Sequence, residues 1–319
     1  MSTVKCDPNN IESLRDVYGC ELLKLGETNK DVVVLDADLS SSTRTSLFAK
    51  KFPDRFFNMG IAEADMMSTA AGLAASGKIA FASTFAIFAT GRPWDQIRQS
   101  ICVDNRNVKI VATHGGITVG EDGPTHQAME DIALMRMLPN MRVLVPADAK
   151  ETIAMINFVA TEAGPFYIRL SREKFVQIYD DYERFNLGVA KTIRTGSDIA
   201  IISTGLMVYE SLKAADLLAK DGINVTVVNM SSIEPLDSKL LLEIANSHRG
   251  IVTAEEGSVV GGLGSAVAEL LSESRPLPII RVGMRAGFGK SGAPAELLKF
   301  FKMDATAIFD AVRKVIAFK

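Results

Sequence analysis

The sequence predicts an α/β protein of two doubly wound domains, the first with a mainly parallel sheet and the second smaller. Short apolar runs of strand length alternate with longer helical stretches along the 319 residues. These runs are almost continuously apolar, which is typical of parallel strands buried on both faces. The alternation lapses in a charged, aromatic segment at residues 171–188. We therefore expect domains at residues 1–180 and 188–319, which agrees with a usual size of about 150 residues per domain.

The first domain should contain five strands separated by helices. Its apolar runs are rich in Val, Ile or Phe and are bounded by Gly, Pro, Asp or Asn. Strands are predicted at residues 31–36, 78–82, 108–112, 141–145 and 165–170. Helices are predicted at residues 61–76, 91–103, 127–137 and 148–162. The last helix should begin with a capping box, because Asp148 precedes it and Glu151 follows three residues later.

The second domain repeats this alternation with fewer elements. Strands are predicted at residues 199–203, 225–229, 251–254 and 279–282. Helices are predicted at residues 208–220, 238–247, 263–272 and 293–302, followed by a last helix that ends near residue 316.

Charge and composition exclude several classes of protein. Lys and Arg number 35 and Asp and Glu number 38, so a net charge of −3 leaves no excess of cations for a nucleic acid. The hydrophobic fraction of 47% is too high for a disordered chain. The first residues lack the apolar region of a signal peptide, and no apolar stretch approaches the roughly 18 residues of a membrane span. We expect a cytoplasmic protein that does not bind membranes.

One glycine-rich segment resembles a phosphate-binding loop but does not fit its spacing. Five residues separate Gly283 from the Gly289-Lys290 pair, whereas a P-loop has four. The next helix should begin near Pro294 and not at the lysine. We therefore assign no phosphate-binding loop to this segment.

Glu63 lies near the start of the helix predicted at residues 61–76 and has two interpretations. An acid at this position is favourable beside the positive end of the helix dipole. However, its neighbours are mostly apolar, so we expect the side chain to be buried. A buried, unpaired carboxyl group would be able to hold or share a proton.

An aromatic patch follows the strand at residues 78–82. We assign Phe81 to the core. Phe85 and Phe88 fall in the connection from strand to helix, where the carboxyl end of a strand in an α/β sheet usually faces a ligand.

The loop from His114 to His126 is the most informative segment. It follows the strand at residues 108–112 and contains two of the three histidines, four glycines, Glu121 and Asp122. The spacing of the histidines fits no common zinc site, so a metal is only weakly supported. Proton transfer and hydrogen bonds to a polyhydroxylated substrate are the alternative. A surface loop with incidental histidines is the third interpretation.

Several motifs together carry a resemblance to a known family. They are Asp36-Ala-Asp-Leu-Ser-Ser-Ser-Thr, Gly60-Ile-Ala-Glu63, Thr113-His-Gly-Gly-Ile-Thr-Val-Gly-Glu-Asp-Gly-Pro-Thr-His-Gln127 and, in the second half, EEGSVVGGLGSAVAE. With these motifs the chain resembles, essentially from end to end, the C-terminal half of a transketolase of the kind split into two polypeptides. The resemblance covers the pyrimidine-binding domain and the C-terminal domain that thiamine diphosphate enzymes of this group share.

The resemblance implies a transketolase activity with thiamine diphosphate as the cofactor. Glu63 would hydrogen-bond a ring nitrogen of the aminopyrimidine and so promote loss of the thiazolium proton. Phe85 and Phe88 would border the cofactor, and Asp38 would lie close to it. A two-carbon ketol unit would then pass from a ketose phosphate to an aldose phosphate, as in the pentose phosphate pathway.

The resemblance also implies roles in substrate binding. His114 and His126 would hydrogen-bond the substrate carbonyl and hydroxyl groups, and Asp122 would contact a sugar hydroxyl. Arg15, Ser42 and Arg172 fall where the family binds the sugar phosphate, and a guanidinium group suits phosphate geometry.

One family motif is absent from the sequence. The Gly-Asp-Gly and following Asn that hold Mg²⁺ (or Ca²⁺) and the diphosphate do not occur, so we assign no metal ligand to this chain. We expect a separate N-terminal subunit to hold them, in an α2β2 heterotetramer.

Departures from the family pattern keep alternatives open. Ala64 stands where single-chain transketolases often have His, and Gly91 replaces an aromatic residue of the pyrimidine pocket. The segment from Arg92 to Gln96 resembles deoxyxylulose-phosphate synthase, whereas His114 favours transketolase. The alternatives are a synthase of that kind, another acyloin-forming subunit, or a non-catalytic regulatory or binding subunit. The donor and acceptor sugars do not follow from the sequence.

Overall fold

The computed structural model describes residues 13–318 as two sheets covered by helices, so the predicted α/β class with two domains is confirmed. Within these residues, no helix is long and apolar enough to span a membrane. The elements of the first half are α1 (Leu14–Thr28), β1 (Val32–Asp36), α2 (Ser40–Thr43), α3 (Ser46–Lys51), β2 (Phe56–Asn58), α4 (Glu63–Ala75), β3 (Ile79–Phe85), α5 (Ala86–Gly91), α6 (Trp94–Gln96), β4 (Val108–Thr113), α7 (Asp131–Arg136), β5 (Arg142–Leu144), α8 (Ala149–Thr161) and β6 (Phe166–Arg169).

The second half continues with shorter connections. Its elements are β7 (Lys191–Arg194), β8 (Ile199–Ser203), α9 (Met207–Lys220), β9 (Val225–Asn229), β10 (Ser232–Glu234), α10 (Ser238–Ser247), β11 (Ile251–Ser258), α11 (Leu263–Ser274), β12 (Ile279–Met284), α12 (Pro294–Phe300) and α13 (Ala305–Ala317).

Both sheets are mainly parallel. The first has the strand order β10-β5-β6-β4-β3-β1-β2, and the second has the order β12-β11-β8-β9-β7. Only two pairs among the described strands are antiparallel, β10 with β5 and β7 with β9. β10 and β7, of three and four residues, are too short to show the apolar pattern that predicted the other strands. β10 belongs to the second half of the chain by sequence but completes the edge of the first sheet.

The inner strands of the first sheet are buried on both faces, as their apolar runs predict, whereas the edge strand β2 is partly exposed. Val32 and Val34 join one core cluster with α1 and α8, whereas Val33 and Leu35 join another on the opposite face. The second cluster continues into β8, β9 and α10, so the two domains share apolar core.

The helix predicted at residues 91–103 is present over residues 94–102, but it begins three residues later and changes type. α6 continues directly into a π-helical segment, Ile97–Cys102, and the separate helix α5 precedes it. Pro93 lies between the two α-helices, and because it lacks an N–H group it cannot continue the first.

Of the two hydrogen bonds that define the capping box predicted at α8, the one accepted by Asp148 is confirmed. The Asp148 side chain accepts a hydrogen bond from Glu151 N at 2.8 Å. The Glu151 carboxylate reaches back one residue further, to Ala147 N at 2.7 Å.

A buried ion pair of the first domain lies beneath the loop after β4, and its arginine also hydrogen-bonds the second domain. Arg169 Nε lies 2.9 Å from the Asp131 carboxylate, and its Nη2 donates to the carbonyl of Glu256 at 2.7 Å, in the second sheet. Tyr167 donates its hydroxyl to the same carboxylate at 2.6 Å. Burial lowers the pKa of Arg169, but the neighbouring carboxylates outweigh it and raise the pKa, so the guanidinium stays charged.

We predict that Arg169→Met strongly destabilises the protein. The substitution leaves Asp131 buried without a counter-charge, which should lower the free energy of unfolding by about 3–5 kcal/mol. Urea denaturation of the purified chain measures this loss. Arg194→Met is the matched control, because its pair with Asp216 lies at the surface and should contribute at most about 1 kcal/mol. Equal losses in the two variants would contradict this assignment.

Candidate functional site

The expected site residues lie at one edge of the first sheet. Parallel strands present their carboxyl ends at a common edge, where ligands bind in α/β proteins. The segments that follow β1, β2, β3, β4 and β6 carry the expected residues Asp38, Ser42, Glu63, Phe88, His114, His126, Asp122 and Arg172, while Phe85 ends β3. The sheet topology therefore brings these sequence-distant residues to one edge.

Glu63 is buried, as expected, with only 5% of its surface exposed at the first position of α4. The expectation that it is unpaired is wrong. Arg92 Nη1 lies 2.6 Å from Glu63 Oε1 in a salt bridge. The guanidinium also lies over the Phe88 ring, 4.2 Å from its centre, and its side chain is 49% exposed. Arg92 therefore covers the carboxyl group from the solvent side.

Four aromatic rings form a compact cluster beside this pair. His114 stacks on Phe85 with ring centres 3.8 Å apart, and Phe88 stacks on Phe85 at 5.9 Å. His126 approaches Phe88 edge-on at 5.3 Å. The structure thus brings together both histidines and both phenylalanines that the sequence singles out. Such a cluster offers an apolar wall with imidazole nitrogens beside it.

His114 is held in a neutral state. Only 3% of the residue is exposed, its backbone has a φ of 60°, and Nδ1 lies 2.9 Å from the Thr113 hydroxyl. Burial, followed by the positive charges of Arg15 and Arg172, lowers the pKa of His114 to about 3. A neutral imidazole can donate or accept a hydrogen bond without becoming charged.

Arginines give the same edge a positive charge. Arg15 on α1 donates to the carbonyl of Ser42 at 3.3 Å, and burial together with Arg44 lowers its pKa. Arg172 donates to the carbonyl of Val119 at 2.6 Å. The charges of Arg15, Arg44 and Arg172 all act on His114, which shows that they surround one region. Three guanidinium groups around one region suit an anionic ligand.

The carboxylates near these arginines are not buried. Asp122 and Glu121 lie 3.7 Å and 3.5 Å from Arg172 Nη1, and both side chains are largely exposed. Asp38 is exposed with a φ of 61° and accepts a hydrogen bond from Asn58 at 3.0 Å. These groups lie at the rim and leave the arginines at the centre.

Asp36 shapes the loop that carries Asp38 and Ser42. Its carboxylate accepts hydrogen bonds from Leu39 N at 2.6 Å, Thr43 Oγ1 at 2.7 Å and Thr45 Oγ1 at 2.8 Å. Burial raises the pKa of Asp36 to about 6, although these hydrogen bonds oppose the shift. The loop is thus anchored to the end of β1.

Sequence reasoning missed three residues of this region. For Arg44, the only signal in the sequence is a basic side chain close to Ser42, which is expected to bind the phosphate. Arg92 is named only as part of the segment that resembles deoxyxylulose-phosphate synthase. Gln127 is buried and hydrogen-bonds carbonyl groups of the loop 114–127 and of a distant segment. No group of three metal-ligating side chains occurs within residues 13–318.

We predict that the His114 imidazole does not titrate between pH 8 and pH 5. A pKa of about 3 leaves it about 99% neutral at pH 5. Histidine side-chain NMR signals of the isolated chain, assigned with a His114→Gln variant, measure this. The unfolded chain takes up this proton near pH 6.5, so the contribution of His114 to stability is complete above that pH and falls toward pH 3. A His114 titration midpoint near pH 6.5 would contradict the prediction.

Two families of protein domain match the chain. The transketolase pyrimidine-binding domain matches residues 12–177, and the transketolase C-terminal domain matches residues 188–308. The resemblance that the motifs carry is therefore confirmed.

Full-length relatives extend this match. The chain is 46% identical over 300 residues to a transketolase C-terminal section from Methanocaldococcus jannaschii, covering 93% of this chain and 94% of that protein. It is 41% identical over 302 residues to a 6-deoxy-6-sulfo-D-fructose transketolase subunit of a Clostridium species, covering 95% and 94%. A solved structure described as a split gene transketolase, inactive β4 tetramer, superposes with a TM-score of 0.90 at 50% identity, covering 96% of this chain and 99% of that one. The chain therefore belongs to the transketolase family and corresponds to the pyrimidine-binding and C-terminal domains of a split transketolase.

Proposed function

We propose that this chain is the C-terminal subunit of a heteromeric transketolase that transfers a two-carbon ketol unit from a ketose phosphate to an aldose phosphate. One observation carries the proposal: a buried carboxyl group, a histidine-containing ring cluster and three arginines meet at one sheet edge. The carboxyl group suits a cofactor, the histidines suit the oxygens of a sugar, and the arginines suit an anion. The proposal includes the expected setting in the cytoplasm and in the pentose phosphate pathway.

The residues present fit the aminopyrimidine of thiamine diphosphate. Glu63 offers an almost fully buried carboxyl group, and Phe85 and Phe88 offer ring faces beside it. The space beside Gly60 and Gly91 is open, since an added Cβ would meet no atom within 4 Å at either position. Glu63 would hold a ring nitrogen, the two phenylalanines would border the ring, and Asp38 would lie nearby. When bound, the cofactor would supply the electron sink for cleavage of a ketose.

The pairing of Glu63 with Arg92 adds a condition to this fit. Arg92 occupies Glu63 Oε1, so a ring nitrogen must share the carboxyl group with this guanidinium or displace it. Displacement is feasible because the Arg92 side chain is 49% exposed and lies over only one face of Phe88.

The histidines would bind the sugar oxygens. Nδ1 of His114 is engaged with Thr113, which leaves Nε2 as the ring nitrogen that can reach a substrate. His126 is similarly engaged through Nδ1 with Thr125 at 2.9 Å. Hydrogen bonds from imidazole N–H groups can stabilise charge that develops on a carbonyl oxygen. Asp122 at the rim would accept a hydrogen bond from a sugar hydroxyl.

The arginines support an anionic group at the far end of the sugar, and a phosphate is the first candidate. A sulfonate is the second candidate, because the Clostridium relative, 41% identical, is named a 6-deoxy-6-sulfo-D-fructose transketolase subunit. Arg15, Arg172 and the hydroxyl group of Ser42 would bind either group, since a phosphate and a sulfonate both present oxygens to guanidinium and hydroxyl donors.

The proposal requires a partner chain. The M. jannaschii relative is named a C-terminal section, and the similar solved structure is named an inactive β4 tetramer. These names support an N-terminal subunit that would carry the diphosphate site and hold Mg²⁺ or Ca²⁺, in an α2β2 assembly.

We predict that the isolated chain has no ketol-transfer activity and gains it with an N-terminal subunit, thiamine diphosphate and Mg²⁺. Product formation from a ketose phosphate and an aldose phosphate measures this. Full activity of the isolated chain would contradict the split-site proposal. Release of CO₂ from pyruvate with glyceraldehyde phosphate, without ketol transfer, would favour the synthase alternative.

We predict that Glu63→Gln lowers kcat of the assembled enzyme by at least about a hundredfold, because the amide cannot accept and return the proton in the same way. Asp65→Asn is the matched control, since this exposed carboxylate lies on the same helix. Circular dichroism should show an unchanged fold in both. Normal turnover in Glu63→Gln would remove Glu63 from its proposed role.

We predict that Arg15→Gln and Arg172→Gln raise KM for the charged sugar by about 10–100-fold, through loss of a charge-assisted hydrogen bond. Arg194→Gln, in the second domain, should leave KM unchanged. Parallel assays with 6-phospho- and 6-sulfo-fructose separate the two candidate substrates by kcat/KM. An unchanged KM in both site variants would place the anion elsewhere.

A further inference from the structure

The second domain contacts the loop 114–127, which we call the histidine loop, at two separate points. One contact comes from the end of β11. The other comes from residues 285–293, the connection between β12 and α12, which we call the strap. The strap contains most of the glycine-rich segment whose sequence resembles a phosphate-binding loop. In the structure, however, the strap contacts protein groups.

Glu256 makes the first contact. It is 3% exposed, and its Oε1 accepts a hydrogen bond from Thr118 N at 2.7 Å. Gly116 has a φ of 88°, and a Cβ there would overlap the Glu256 carboxylate. This close approach is possible only because residue 116 is glycine.

Gln127 makes the second contact from the loop side. It is 3% exposed, and its Nε2 donates to the carbonyls of Ile117 at 3.1 Å, Gly120 at 3.4 Å and Lys290 at 2.8 Å. Two of these acceptors lie in the histidine loop and the third lies in the strap. A single amide group therefore ties both ends of the loop to the second domain.

The strap leaves no room between itself and this amide. A Cβ at Gly289 would overlap Gln127 Oε1 and would lie 2.9 Å from Ile117 Cδ1. Gly289 does not have a positive φ, so only the space restricts this position. Ser291 in turn lies directly against Gly123.

We propose that Glu256 and the strap form a clamp by which the second domain holds the histidine loop, with Gln127 and Gly289 as positioning residues for His114, His126 and Asp122. The loop contains four glycines, so its free form has many conformations and its ordering costs entropy. A clamp that is already formed removes that cost from substrate binding and keeps the imidazoles in place. The kinetic consequence rests on the proposed function, whereas the structural consequence does not.

Hydrogen exchange on the isolated chain tests the clamp directly. Gln127→Met keeps the side-chain length but removes the donors, and Gly289→Ala introduces the overlap. Each should accelerate amide exchange in residues 114–127 by about tenfold, as expected for loss of about one hydrogen bond. Exchange in β8 and β9 should not change, which separates local release from global unfolding.

Lys290→Ala is the matched control on the strap. It keeps the carbonyl that accepts from Gln127, so exchange in the histidine loop should match the wild type. Faster loop exchange in Lys290→Ala alone, or unchanged exchange in both Gln127→Met and Gly289→Ala, would overturn the proposal.

The double variant Gln127→Ala with Gly289→Ala tests the specific contact. Without the Gln127 amide the main overlap is gone and only the end of the flexible Ile117 side chain remains close, so the double variant should exchange nearly like Gln127→Ala alone. Additive effects of the two substitutions would overturn the assignment of Gly289 to this contact.

Kinetics of the assembled enzyme test the positioning role. Gly289→Ala should raise KM for the aldose acceptor and lower kcat by about tenfold or more, while Phe288→Ala, a strap residue that is 81% exposed, should change neither. Unchanged constants in Gly289→Ala would refute positioning. If the wild-type assembly transfers no ketol unit, the proposed function fails, and the exchange experiment still decides whether the clamp exists.

Discussion

The arrangement of the two domains depends on one buried side chain, Arg169, which pairs with Asp131 within the first domain and hydrogen-bonds the second. Arg169 lies at the carboxyl end of β6 and also donates to carbonyls on both sides of the domain boundary, Ala128 at 3.2 Å and Glu256 at 2.7 Å. Gly115 approaches so closely that a Cβ there would lie 2.5 Å from Arg169 Nε. A buried charge is tolerated only when it is paired and hydrogen-bonded, so these partners must keep their places. The start of the histidine loop and the end of β11 are therefore set by one side chain.

The region of the site could be predicted from the sequence because a parallel sheet collects the carboxyl ends of its strands. Apolar runs identify the strands, and the polar residues that follow each run then share an edge. The glycine-rich segment with His114 and His126 stands out for a separate reason, because few histidines occur elsewhere in the sequence.

The individual pairings could not be predicted. Glu63 and Arg92 are 29 positions apart, and nothing in either local pattern shows that they meet. Gln127 and Lys290 are 163 positions apart and interact through a main-chain carbonyl, which has no sequence signature. β10 is likewise invisible to pattern analysis because three residues cannot show a period. Sequence patterns predict which element a residue belongs to, whereas long-range contacts depend on how elements pack.

The electrostatics of the edge follow from burial and like charges. Burial, followed by the charges of Arg44 and Arg172, lowers the pKa of Arg15. The buried imidazole of His114 remains neutral and so adds no further positive charge. Part of the repulsion among the arginines is offset by two carboxylates, half-buried Asp16 with Arg44 and exposed Asp122 with Arg172. The Asp122 carboxylate is solvated and holds Arg172 weakly, so an incoming anion can compete with it.

The two parts of the proposed substrate site differ in what holds them in place. Asp36 anchors the loop that contributes Ser42 and Arg44, and every one of its hydrogen-bond partners lies in the first domain. The histidine loop, by contrast, depends on Glu256 and on the carbonyl of Lys290 in the second domain. Arg172 couples the two parts, since it lies among the arginines and donates to the carbonyl of Val119 at 2.6 Å. A displacement of the second domain would therefore disturb first the histidine loop, which we propose to face the sugar oxygens, and would reach the arginines proposed to bind the anion through Arg172.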